Sequence, residues 1–180
     1  MKRMRRLADI ELLNDYVLQQ QMVWASMGIF VVGVLVGVIA AFALPHEVVS
    51  LLWFLALVLV SVVALPVHEL VHAGAFMLLT GFTARLRFGI TDWMLYTMAP
   101  GTVLRRRRFC AVLLAPAMLV STTLLAVPWS LGFPLLGWFL AVIHLAGCTG
   151  DFAYVGIILR EPKATHVEDT ERGIALFYDA

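Results

Sequence analysis

Residues Val48–Thr80 read VVSLLWFLALVLVSVVALPVHELVHAGAFMLLT. The stretch holds no Lys, Arg or Asp. It is longer than the roughly 20 apolar helical residues that cross a bilayer. Yet three ionisable residues, His68, Glu69 and His72, lie inside it. A charged group near the centre of a membrane helix costs on the order of 2.5–3.5 kcal/mol. Residues kept there at that cost mark functional sites by default.

The spacing says which chemistry. On a helix His68 and His72 stand one turn apart on one face, separated by about 6 Å of rise. Two imidazoles so placed can bind one zinc ion, with the intervening Glu69 within reach of a water that zinc acidifies. Pro66 removes a backbone donor just before the motif and can kink the helix.

Outward from this stretch the chain repeats its apolar character. Of 180 residues, 62% are hydrophobic and 14% charged, and the charges are segregated. Met22–Leu44, Phe109–Ser130 and Phe133–Leu159 are three further candidate spans. Met22–Leu44 is too long for the roughly 7–15-residue core of a signal peptide and is expected to be a retained helix. The expected fold is an all-α integral membrane protein. It has four transmembrane helices, a small β-hairpin between the second and third, and one domain over 1–180.

Arginines and lysines fix the orientation. They cluster before the first span, between the second and third (Arg85, Arg87, Arg105 to Arg108) and after the fourth, while the other two loops have none. The positive-inside rule then makes both termini cytoplasmic in a multi-pass protein of the cell membrane. Asp9–Gln21 has helical apolar spacing and reads as an amphipathic helix. Ala84–Ile90 alternates Leu86, Phe88 and Ile90 with Arg85 and Arg87, a strand pattern. Thr91-Asp92 follows as a turn and Trp93–Met98 as a second strand. Gly33 and Gly37 form a GxxxG, read as close packing inside the bundle before a dimer face. Cys110 and Cys148 form no disulfide framework.

A catalytic zinc usually has three protein ligands. Asp151, the one acidic residue inside the fourth span, is the candidate third ligand, with an interfacial carboxylate as the bland alternative. Its depth, roughly 27 Å along its span, matches the roughly 30 Å of His68 along the second. His144 lies seven residues earlier, about 10 Å away on a straight helix. It stays open as a hydrogen-bonded core histidine, a partner that orients a metal ligand, or an alternative ligand. Gly147 and Gly150 are expected to let this helix approach the second closely.

The His68-Glu69…His72 motif, the basic β-like region, Leu114-Ala115-Pro116, Gly150-Asp151 and the tail Val167-Glu168-Asp169 with Gly173 together resemble the DUF3267 family of zincin peptidases. These are distant relatives of the site-2 protease intramembrane metalloproteases. The resemblance covers most of the chain after residue 50. It implies a hydrolase with zinc at His68 and His72, Asp151 as third ligand and Glu69 as catalytic base. Thr149-Gly150-Asp151-Phe152 departs from the Asn-Pro-Asp-Gly or Leu-Asp-Gly types of site-2 proteases. The function expected is intramembrane proteolysis of a membrane-bound or membrane-proximal protein or peptide, with the lipid bilayer as surroundings and no nucleic-acid partner. The alternative is a non-catalytic membrane scaffold that binds metal or a partner. A transporter lacks support, because no repeated halves are visible.

Overall fold

The computed structural model describes residues 4–11, 15–43, 47–91 and 94–180. The elements run β1 (Met4–Ile10), α1 (Tyr16–Ala43), α2 (Leu51–Leu79), β2 (Arg87–Thr91), β3 (Met94–Met98) and β4 (Val103–Arg105), then α3 (Arg106–Ser130), α4 (Pro134–Gly147), α5 (Thr149–Arg160), β5 (His166–Asp169) and β6 (Ile174–Asp179). Helices α1, α2 and α3 are long and apolar enough to cross a membrane, and α4 with α5 counts as a fourth if the bent pair is one span. Their outer faces are apolar and uncovered. Within α1 only Gly33 and Gly37 are buried, while Leu52, Leu59, Val62 and Leu70 of α2 stay exposed. In water such faces would be a large uncompensated cost; against lipid they are not.

Two small sheets accompany the helices, and the larger one goes beyond the expected all-α fold with a single hairpin. Strands β2 and β3 pair antiparallel, Arg87 opposite Met98 and Ile90 opposite Leu95, as the alternating pattern predicts. The turn expected at Thr91-Asp92 extends to Asp92, outside the described residues. A second, antiparallel sheet in the order β1-β6-β5-β4 joins the N-terminal strand, the strand before α3 and the tail at one end of the helices. The expected amphipathic helix over Asp9–Gln21 is therefore replaced at its start by β1, with α1 beginning at Tyr16; Leu12 and Leu13 of that reading lie outside the described residues. β1 pairs with β6, from the other end of the chain. Such a partner cannot be inferred from local periodicity.

The core sits where this sheet meets the helix ends. Val167 and Leu176 of the sheet are buried with Phe76, Phe109, Val112 and Ile158 of α2, α3 and α5. Arg106 starts α3 and donates to the Leu159 carbonyl at 3.1 Å. It thereby satisfies a free carbonyl at the C-terminus of α5, where a cation is also favoured by the helix dipole. At the other end Glu47 accepts from the Leu135 and Leu136 amides at 2.8 and 3.3 Å. The same carboxylate accepts from the Trp53 indole. It caps α4 and ties it to α2.

Gly33 and Gly37 pack α1 onto α4. A Cβ at Gly33 would strike Val142, and one at Gly37 would meet Trp138 at 2.8 Å. The Trp138 indole donates to the Gly33 carbonyl at 2.8 Å. The GxxxG is spent inside the bundle. Gly147 and Gly150 do not serve the expected approach to α2. A Cβ at Gly147 meets nothing within 4 Å, and one at Gly150 meets Met22 of α1.

The fourth apolar segment, expected as one helix, is broken. α4 and α5 are bent by 51° at Cys148. The Ala146 carbonyl, which a continuous helix would give to Gly150, instead accepts from Ser26 of α1 at 2.8 Å and Thr149 at 3.4 Å. A side chain inserted into the backbone ladder is a recognised cause of a kink.

Candidate metal centre

α2 runs unbroken through Pro66 and carries the motif on its inner face. His68 is half-buried and His72 buried. Their Nε2 atoms lie 3.1 Å apart. The break at Cys148 turns the first turn of α5 toward them, so that Asp151 Oδ2 is 3.3 Å from His68 Nε2 and Asp151 Oδ1 is 3.2 Å from His72 Nε2. The structure thus brings His68, His72 and Asp151 together. Glu69 lines the cavity of about 330 Å³ onto which these groups open. The Thr97 hydroxyl of β3 donates to the Glu69 carbonyl at 3.0 Å and pins the hairpin beside it.

The donor set fits zinc. Ligand atoms at about 2.0–2.1 Å around a tetrahedral zinc are themselves roughly 3.3 Å apart, and the separations here are 3.1–3.3 Å. Protonation points the same way. His72 Nδ1 faces the Val112 carbonyl at 3.1 Å. A carbonyl only accepts, so Nδ1 carries the proton and, in a neutral ring, Nε2 presents its lone pair to the cluster. A lone pair of His72 aimed at the Asp151 carboxylate suits a cation between them.

His144 takes a different place. Its Nε2 is 3.2 Å from His68 Nδ1, and its Nδ1 is 2.8 Å from the Ser121 hydroxyl of α3. It therefore faces the ring edge of His68 opposite to Asp151. A second group, His68, His144 and Cys148, is also close enough to share a cation. The Cys148 sulfur, however, lies 3.2 Å from the His144 carbonyl, as a thiol donor would. That favours the set containing the carboxylate, since a metal would need the thiolate.

Sequence reasoning missed Ser121, the Val112 carbonyl and the β5–β6 turn. Ser121 did leave a signal, being a polar residue within an apolar helix. Asp169, Arg172 and Gly173 form part of the cavity wall; Asp169 and Gly173 stand out in the sequence only through the family resemblance, which does not announce that place. Gly173 has φ +151°, and a Cβ there would strike the Ile10 carbonyl and crowd the Tyr154 hydroxyl. Only glycine lets this turn close over the cavity.

The family described as a putative zincin peptidase, DUF3267, matches residues 61–166, more than half of the chain. The chain belongs to the DUF3267 family. The matched span starts in mid-α2, takes in the hairpin, α3, α4 and α5, and ends as β5 begins. Every residue of the cluster lies within the DUF3267 match, but the tail Val167 to Gly173, part of the resemblance in the sequence, lies outside it. No curated protein and no solved structure matches the chain. Membership of DUF3267 suggests a metallopeptidase acting on a protein or peptide.

Proposed function

We propose that this protein is a membrane-embedded zinc metallopeptidase that hydrolyses peptide bonds of membrane-bound or membrane-proximal substrates. The observation that carries the reading is the convergence of His68 Nε2, His72 Nε2 and both Asp151 oxygens, with Glu69 on the wall of the same cavity. His68, His72 and Asp151 are the residues that would hold zinc. When bound, zinc supplies a Lewis acid that polarises a carbonyl and makes water nucleophilic near neutral pH. Glu69 acts as general base on the attacking water and returns the proton to the leaving amine, help typically worth 10²–10⁴-fold in rate.

The chain's own hydrogen bonds orient this set. The Val112 carbonyl holds His72. His144, held by Ser121, accepts the Nδ1 proton of His68 and so turns the Nε2 lone pair to the metal. The hairpin offers a strand edge to an extended peptide, and the exposed Phe88 and Ile90 suit a membrane surface. The sheet that gathers β1, β4, β5 and β6 at one end supports both termini on the arginine-rich, cytoplasmic side.

Glu69→Gln tests the mechanism, because it keeps the size of the side chain and removes the base. Membrane proteins whose cleavage fragments vanish in a Glu69→Gln strain are the expected result. Fragments that persist unchanged in that strain would overturn the peptidase reading and favour a metal-binding scaffold.

A further inference from the structure

A second cavity, of about 260 Å³, opens from the same centre between α2 and α4. It shares His68, Glu69, Leu95 and Gly147 with the larger one. Beyond them its walls are Ala64, Leu65, Leu140 and Ile143, with His144 beside the centre and Ser61 at the far side. Ser61 is about 10 Å further along α2 than His68, towards the membrane interior. The volume falls just short of the roughly 300–1,000 Å³ of pockets that take whole small ligands. It suits one large side chain. The Ser61 hydroxyl is buried with no hydrogen-bond partner among the described residues.

We infer that this cavity is the specificity pocket of the site, receiving a large apolar side chain next to the bond that is cut. The inference rests on the peptidase reading above. The pocket meets Glu69 and His68 at its mouth, so a side chain seated in it places its own backbone at the reacting centre. Small residues would leave the pocket empty, and charged ones would lose their solvation in a largely apolar wall.

Straight-chain aliphatic hydroxamates, from acetohydroxamate upward, test this on the zinc-loaded full chain in detergent without any substrate. Their head chelates zinc, and their tail probes the pocket. Affinity is expected to rise about fourfold for each methylene that enters the pocket and then to level off. In Ala64→Phe the rise should vanish, and in Leu140→Ala it should continue to longer chains. The Ala64→Phe arm also separates the pocket from mere uptake into the micelle. No rise in the wild type, as a groove filled by lipid chains would give, overturns the inference, and so does the same rise in all three proteins. Absence of acetohydroxamate binding overturns the metal centre itself and the pocket with it.

Discussion

His144 Nε2 lies 3.2 Å from His68 Nδ1, across the ring from the Asp151 carboxylate 3.3 Å from His68 Nε2. One imidazole is thus held on both edges, by a partner from α4 and another from α5. On a straight helix His144 and Asp151 would be about 10 Å apart along the axis. The 51° bend at Cys148 carries them to opposite sides of the same ring.

This arrangement predicts a graded loss of zinc affinity. Partners of ligating histidines are typically worth 10–100-fold in affinity. His144→Ala should weaken zinc binding by that order, and Ser121→Ala by less. His144→Gln, whose amide oxygen can accept the His68 proton, should recover part of the loss. Chelator competition on the purified variants measures all three. Equal affinity in His144→Ala and the wild type would show that His144 does not hold the ligand.

Glu47 predicts a stability effect without a metal effect. Its carboxylate caps the N-terminus of α4 and holds Trp53 of α2. Loss of a helix cap costs about 0.5–2 kcal/mol. Glu47→Ala should lower the thermal midpoint in detergent while zinc content stays as in the wild type. An unchanged midpoint would deny the cap its role.

Asp169 predicts a pH dependence. Burial pushes its carboxyl up to about 6. The Ala99 amide and His72 oppose the rise, and Glu168 adds to it. A carboxyl raised in the folded state contributes stability below its unfolded value of 3.8, and this contribution is lost as pH rises through about 6. Asp169→Asn keeps an acceptor for the Ala99 amide and cannot ionise. It should match the wild type near pH 4 and exceed it in thermal stability near pH 8. Thermal unfolding at the two pH values checks this, and equal midpoints for both proteins at pH 8 would contradict it.

What the sequence discloses and what it hides divide along physical lines. The apolar spans, the β2–β3 pairing and the one-turn spacing of His68 and His72 are local patterns, and they are legible. The four-stranded sheet is not, because β1 and β6 come from opposite ends of the chain and find each other only through the fold. The break at Cys148 is hidden for a similar reason. It depends on Ser26, 120 residues away, taking the Ala146 carbonyl. Asp151 stands out as an acid in an apolar run, but the reach of its two oxygens to two histidines needs that break.

In the proposed peptidase, His68, His72 and Asp151 hold one zinc ion that Glu69 does not help to bind. Metal analysis of the purified full chain beside His72→Ala, Asp151→Ala and Glu69→Gln tests it most directly. About one zinc per chain is expected in the wild type and in Glu69→Gln, and a large loss in His72→Ala and Asp151→Ala. Zinc retained in full by Asp151→Ala, or absent from the wild type after zinc loading, would contradict it.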